Sequence, residues 1–159
     1  MRTFTAWIVV AAVAVAGLGG CTREPGPDPM LPTVSPTRKI DGSTLPEKVA
    51  GYTALGGAPA AKQTTATYAS DTEPLDLVVV TLDPNSDLAG AELMSSHWYG
   101  VTRCGVLWTG DPKATPQPQQ SACITFLTDG IMTSVSGGQQ TPEQLAQLAN
   151  AINDELEKV

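Results

Sequence analysis

The sequence predicts an α+β domain: an antiparallel sheet of about five to six strands, a C-terminal amphipathic helix packed on one face, and a short middle helix. Short runs of β-branched and aromatic residues recur between turn residues from residue 62 to residue 137, which indicates strands. The last segment carries an apolar stripe at helical spacing behind a capping signal. The connections between the predicted strands are hairpin-like, which favours antiparallel pairing.

The predicted domain occupies residues 44–159 and opens on an irregular lead-in or short strand, "LPEKVAGYTAL", with Val49, Tyr52 and Leu55 spaced to touch a core. Residues 62–70 form the next predicted strand. Residues 75–83, "LDLVVVTLD", are the strongest strand signal, because an apolar run of this length bounded by Pro84 is typical of a buried strand.

A short middle helix is predicted over residues 85–98. Its apolar residues fall at helical steps of three, three and four: Leu88, Ala91, Met94 and Trp98. Asn85 or Ser86 would cap it, although Gly90 weakens it.

Two further strands, at 101–108 and 122–128, flank a proline-rich loop over 109–121. If they pair as a hairpin, residues whose numbers sum to about 227 lie opposite each other, so Arg103 faces Ile124. Asp129-Gly130 is a hairpin turn signal leading into a strand at 131–137.

The C-terminal helix begins at a capping box. Thr141 is the expected N-cap, Pro142 occupies the first helical position and Gln144 the third. The apolar stripe that follows predicts the face that packs on the sheet: Leu145, Leu148, Ile152 and Leu156.

Composition limits the classes of partner. Hydrophobic residues make up 42% of the 159 residues, which is enough for one core, and aromatic residues only 5%. The formal net charge is −7, so the chain is repelled by phosphate backbones and anionic head groups. The sequence therefore predicts no nucleic-acid partner.

Residues 1–20 have the layout of an export signal: Arg2 near the amino terminus, the apolar run 7–16, then small residues. A transmembrane helix is the alternative, but the uncharged stretch from Thr3 to Gly20 is short for a span and ends among glycines. We therefore expect a signal peptide that is removed.

Leu18-Gly19-Gly20-Cys21 resembles the lipobox of bacterial lipoproteins. The resemblance implies that the Cys21 thiol takes a diacylglycerol, that the chain is cut before Cys21, and that the new amine is usually acylated too; palmitate is the expected acyl chain. It implies a lipid anchor at the extracytoplasmic face of the cell membrane. Lipidation of Cys21 leaves Cys104 and Cys123, on successive predicted strands, to form a disulfide in an oxidising compartment.

Residues 21–43 are predicted to be the lipidated cysteine and a tether, since residues 22–37 hold five prolines and no apolar period. The tether is interpreted as a spacer that holds the domain off the membrane. A proline-rich ligand for a partner is the alternative.

Candidate chemistry is sparse. The single histidine, His97, lies beside Trp98 and Tyr99, and with Trp108 these residues form a possible binding face. No metal site, cofactor or catalytic residue is predicted; calcium at Asp83 and Asp87 is a minor alternative to turn chemistry. The long 109–121 loop is either a tolerated insertion or a functional loop.

The favoured function is a non-enzymatic module that binds a ligand or an envelope protein. The alternatives are an envelope hydrolase using His97 and a lipid carrier. The cysteine hairpin, the Asp-Gly turn and the capped helix together resemble small actinobacterial envelope lipoproteins of unassigned function, a resemblance that implies no activity. The sheet-plus-helix layout also resembles Mog1/PsbP-like domains.

Overall fold

The computed structural model describes residues 32–73, 76–84, 93–107, 120–137 and 140–159. Within these ranges the chain forms eight strands followed by one helix. The elements in chain order are β1 (Lys48–Val49), β2 (Tyr52–Ala54), β3 (Thr65–Ser70), β4 (Leu77–Asp83), β5 (Leu93–Tyr99), β6 (Thr102–Leu107), β7 (Ser121–Leu127), β8 (Gly130–Ser136) and α1 (Pro142–Glu155).

The strands form a single sheet in the order β1-β2-β3-β4-β8-β7-β6-β5, with antiparallel neighbours throughout. The expected α+β architecture with an antiparallel sheet is confirmed. The expected count of five to six strands is wrong for the described residues. The lead-in supplies two short strands, β1 and β2, and β5 occupies part of the segment expected to be helical.

The middle helix predicted over 85–98 is wrong for residues 93–98, which belong to β5; residues 85–92 lie outside the described residues. The reason is a β-bulge. Between Met94 and His97 the register with β6 shifts by one residue, so strict alternation is lost. Leu93 and Ser96, three residues apart, are both buried, which imitates a helical spacing.

β4 is buried on one face only, unlike the doubly buried strand that its apolar run suggests. Val78, Val80 and Leu82 enter the core beneath α1. Val79 lies on the opposite side of the sheet and is 43% exposed. We call this second side, which faces away from α1, the outer face.

The β6–β7 hairpin has the predicted register, since Arg103 lies opposite Ile124 and Cys104 opposite Cys123. The predicted disulfide is present, with an S–S distance of 2.01 Å and both cysteines fully buried. Thr128 and Asp129 form the turn between β7 and β8, which closes at the Leu127–Gly130 pair. Gly130 has no room for a Cβ atom against the carbonyl oxygen of Asp83.

α1 begins with the predicted capping box, in which Thr141 and Gln144 bond each other's backbone N–H groups. The predicted stripe is buried beneath the helix: Leu145, Leu148, Ile152 and Leu156. A polar contact fixes the helix laterally, because the Thr102 hydroxyl donates to Asn150 Oδ1 at 2.6 Å and lies 2.9 Å from the Thr125 hydroxyl.

Residues 37–43, the last part of the predicted tether, are bound to the domain; we call them the N-terminal clip. The backbone N–H groups of Ile40 and Asp41 donate to the two carboxylate oxygens of Asp129 at 2.6 and 2.9 Å. The backbones of Arg38 and Lys158 pair as an isolated antiparallel β-bridge, and the Arg38 guanidinium donates to the Leu156 carbonyl. The clip therefore joins the proline-rich segment to the β7–β8 turn and the carboxyl terminus.

Candidate binding surface

The three consecutive residues His97, Trp98 and Tyr99 lie on β5, an edge strand, and therefore alternate between the two sides of the sheet. His97 pairs with Cys104 and, with Tyr99, lies on the side of α1. Trp98 lies on the outer face. The predicted residues Trp108 and Cys21, and residues 109–119 of the long loop, lie outside the described residues.

On the α1 side, the Tyr99 hydroxyl donates to Glu143 Oε1 at 3.3 Å. The pKa of Glu143 is lowered, first by a backbone hydrogen bond and by the Thr141 hydroxyl, then by Tyr99 and the charge of His97. Burial and the Glu143 carboxylate raise the pKa of Tyr99. The hydrogen bond between Tyr99 and Glu143 therefore orients both side chains at the exposed first turn of α1. Among the described residues, the His97 side chain has no hydrogen-bond partner.

On the outer face, the β5 bulge determines which side chains meet. Ser95 has φ +51°, a left-handed conformation that is unusual for a residue with a Cβ atom. Opposite the bulge stands Gly105, where a Cβ atom would lie 2.7 Å from the Met94 carbonyl oxygen. The bulge and Gly105 together bring the β5 backbone close to β6, and Ser96 is buried there.

Ser96 holds the side chain of Arg103. Arg103 Nε donates to Ser96 Oγ at 2.9 Å. This bond occupies the inner nitrogen of the guanidinium and limits its orientation. Among the described residues, the two terminal nitrogens have no hydrogen-bond or ion-pair partner. These terminal nitrogens are the donors that bind a carboxylate in a forked geometry.

Aromatic and aliphatic side chains surround Arg103. Trp98 and Ile124 are its direct cross-strand neighbours on β5 and β7. The Trp98 and Phe126 rings lie 5.7 Å apart at an interplanar angle of 38°. We call this group the Arg103 surface; Trp98, Arg103 and Phe126 are partly exposed in it, whereas Ser96 and Ile124 are buried.

Acidic side chains are distant from the Arg103 surface within the described part of the outer face. Asp83 is on β4, three strands from β6, and Asp71, which accepts a hydrogen bond from Thr53, is farther away, at the end of β3. At the usual strand spacing Asp83 is separated from β6 by about 14 Å. Sequence reasoning paired Arg103 with Ile124 but did not select it as a site residue. The signal was the Ser95-Ser96 pair opposite Gly105, which becomes informative only once the bulge is known.

A second polar group lies in the core beside the start of β4. Gln140 Nε2 donates to the Tyr52 hydroxyl and to Asp76 Oδ2, and Asp76 is only 7% exposed. Burial, followed by the Asp76 charge, raises the pKa of Tyr52. This group connects β2, β4 and the residue before the helix cap, so it stabilises the fold.

A half-open cleft of about 530 Å³ lies beside the N-terminal clip. It is lined by residues 40–44 and 61–64 and by Leu82. Several of its polar groups already make internal bonds: Ser43 Oγ donates to the Lys39 carbonyl, and Gln63 bonds its own turn. The cleft therefore offers a ligand fewer free donors than its composition suggests.

No protein-family model, curated protein or solved structure matches this chain. Among the described residues, no helix has the length and apolarity needed to span a bilayer.

Proposed function

We propose that the chain is a lipid-anchored protein of the bacterial cell envelope whose domain binds a partner. The observation that supports export is the Cys104–Cys123 disulfide in the core, because disulfides of this structural kind persist in oxidising compartments. Its formation leaves Cys21 as the unpaired thiol, in the Leu18-Gly19-Gly20-Cys21 context of a lipobox. Cys21 is then the acylated first residue of the mature protein.

The N-terminal clip suits an anchored domain. The tether connects to the fold through the backbone N–H groups of Ile40 and Asp41, which donate to Asp129, and through the backbone β-bridge between Arg38 and Lys158. A pull from the membrane is therefore carried by the Asp129 turn and the chain terminus.

A binding role is favoured over the alternatives because Trp98, Arg103 and Phe126 lie together on the outer face and are partly exposed there. Trp, Phe and Arg are enriched at interface cores and supply most interface energy. A hydrolase would need His97 beside a nucleophile, and a lipid carrier would need an apolar cavity. The described cleft is instead lined largely by loop residues. A Mog1/PsbP-like relationship remains a prediction.

Replacement of Cys21 tests the anchor. Cells that express Cys21→Ala are labelled with an alkyne analogue of palmitate and fractionated. We expect label and membrane retention in the native chain, and loss of both in the variant. The control is the double variant Cys104→Ala/Cys123→Ala, which keeps Cys21 and must keep its label. Membrane retention of Cys21→Ala without label would overturn the proposal.

A further inference from the structure

We propose that the cleft beside the N-terminal clip binds a short peptide whose ammonium and carboxylate ends are both free. The proposal goes beyond the envelope-binding function, because it assigns a small-molecule site that is separate from the Arg103 surface. Three features of the cleft support it: its size, the rigidity of its two walls, and the opposite charges that those walls carry.

The first feature is the size of the cleft. Its volume of about 530 Å³ lies within the range of pockets that bind drug-sized ligands, about 300–1,000 Å³. A di- or tripeptide is a ligand of this size. The buried Leu82 and the partly buried Ile40 contribute apolar lining, so the cleft can also accept an aliphatic side chain of the peptide.

The second feature is that both walls are fixed before a ligand arrives. One wall is the clip, in which Ser43 Oγ accepts a hydrogen bond of 2.8 Å from the backbone N–H of Glu157. The other wall is the 61–64 turn, where the Gln63 side-chain amide bonds backbone groups of residues 60 and 65. A preformed cleft avoids part of the ordering cost that binding otherwise carries.

The third feature is a pair of opposite charges, one on each wall. Asp41 lies on the clip and Lys62 on the turn, and both are exposed. Within the described ranges, neither side chain has a hydrogen-bond or ion-pair partner, and Asp41 is bonded through its backbone N–H. Lys62 has φ +68°, a left-handed conformation of the kind that clusters at functional sites. Both charges are therefore available to a ligand.

The ligand that satisfies both charges is a zwitterion. Asp41 would accept hydrogen bonds from an ammonium group and Lys62 would donate to a carboxylate, while the hydroxyls of Thr44 and Thr64 suit the peptide groups between them. A purely cationic or anionic ligand would leave one wall without a partner. A zwitterion has no net charge, so the net charge of −7 does not repel it.

Calorimetric titration of the full chain in detergent micelles tests the charges with one tripeptide, alanyl-leucyl-alanine, in four forms. These are the free peptide, the N-acetylated peptide, the C-amidated peptide and the peptide blocked at both ends. We expect the free peptide to bind most tightly. Blocking either end should weaken binding about three- to fivefold, the range of an exposed ion pair, and blocking both ends should multiply the two losses.

Two substitutions assign each end of the peptide to its wall. Asp41→Asn should bind the free and the N-acetylated peptide equally, while it still prefers a carboxylate over an amide. Lys62→Gln should show the reverse pattern. The matched controls are Glu155→Gln and Lys48→Gln, which remove the same charges from exposed positions outside the cleft lining and should keep both preferences.

A second readout follows because the clip is one wall of the cleft. A ligand bound between the walls stabilises the closed clip by mass action. Saturating free peptide should therefore slow tryptic cleavage after Arg38 and Lys39 several-fold, followed by mass spectrometry. The doubly blocked peptide at the same concentration should give much less protection.

Three results would overturn the inference: no saturable binding of the free peptide, equal binding of all four forms, or unchanged preferences in both cleft variants. Tighter binding of glycerophosphoethanolamine than of the peptide would assign the cleft to a lipid head group and would overturn it as well. None of these measurements involves Cys21, so the anchor and the cleft can fail independently.

Discussion

Gln140 Nε2 donates a hydrogen bond of 2.8 Å to Asp76 Oδ2, and the two side chains are only 6% and 7% exposed. The bond joins the residue before the Thr141 cap to the residue before β4. A buried carboxylate depends on such a donor, because an unpaired charge in the core costs several times more than a lost neutral hydrogen bond.

Gln140→Leu should therefore lower the free energy of unfolding by about 2–3 kcal/mol, measured by urea denaturation. The matched control is Gln147→Leu, which changes an exposed glutamine on α1 and should alter stability by less than about 0.5 kcal/mol. Equal effects of the two substitutions would mean that Asp76 does not depend on Gln140.

Removal of the disulfide should cost about 3 kcal/mol or more. Cys104 and Cys123 are 19 residues apart, and the loop that they close loses its entropy in the unfolded chain. Both sulfurs are also fully buried, so Cys104→Ala/Cys123→Ala adds the loss of core contacts. Thermal unfolding of the double variant, beside the native protein with and without reductant, measures both parts. A reduced native protein as stable as the oxidised one would contradict the entropic part.

The N-terminal clip should protect Arg38 and Lys39 from trypsin. Asp129→Ala removes the acceptor of two backbone N–H groups, and opening of the clip should become easier by about 1–2 kcal/mol. Cleavage after these residues should then accelerate about tenfold, followed by mass spectrometry. Asp154→Ala is the control, since its carboxylate lies 3.9 Å from Arg38 and is 76% exposed. Unchanged cleavage in Asp129→Ala would show that the clip is held elsewhere.

Tyr68 should make the domain sensitive to alkali. It is fully buried, its hydroxyl donates to the Pro46 carbonyl at 2.7 Å, and burial raises its pKa to about 12. The unfolded tyrosine releases its proton near pH 10, so the stabilisation is complete below pH 10 and is lost as the pH rises towards 12.

We expect unfolding free energies measured from pH 9 to pH 12 to fall by about 1–2 kcal/mol on account of Tyr68. Tyr68→Phe should be less stable at pH 7 by about 1 kcal/mol, through loss of the Pro46 bond, and should decline less steeply. Tyr52 and Tyr99 remain and contribute in the same direction. A parallel decline in both proteins would exclude Tyr68 as a cause.

The C-terminal helix and the β6–β7 hairpin were predictable because their signals are local. Thr141 and Gln144 accept each other's backbone N–H groups and Pro142 has no N–H to satisfy, all within four residues of sequence. The Cys104–Cys123 pair and the Asp129-Gly130 turn each lie between neighbouring strands, so a single register relates the pairs within each hairpin. Local rules suffice where the partners are close in sequence.

The middle helix and the Arg103 surface could not be predicted from local signals. The spacing of Met94 and Trp98 suits a helix, and only pairing with β6 makes residues 93–99 a strand. The bulge at Ser95 requires Gly105 on the neighbouring strand, and the contact of Ser96 with Arg103 follows from that bulge. Tertiary pairing therefore overrode a weak helical period.

The sequence by itself determined the sheet-plus-helix class, the disulfide, the capped helix and the expectation of a lipid anchor at Cys21, because each depends on composition or on residues close along the chain. The tertiary structure decided the strand order, the separation of His97 and Tyr99 from Trp98, and the placement of Arg103 between Trp98 and Ile124. A sheet places alternate residues on opposite sides and brings distant strands together. The chemistry of its faces therefore exists only once the strands are paired.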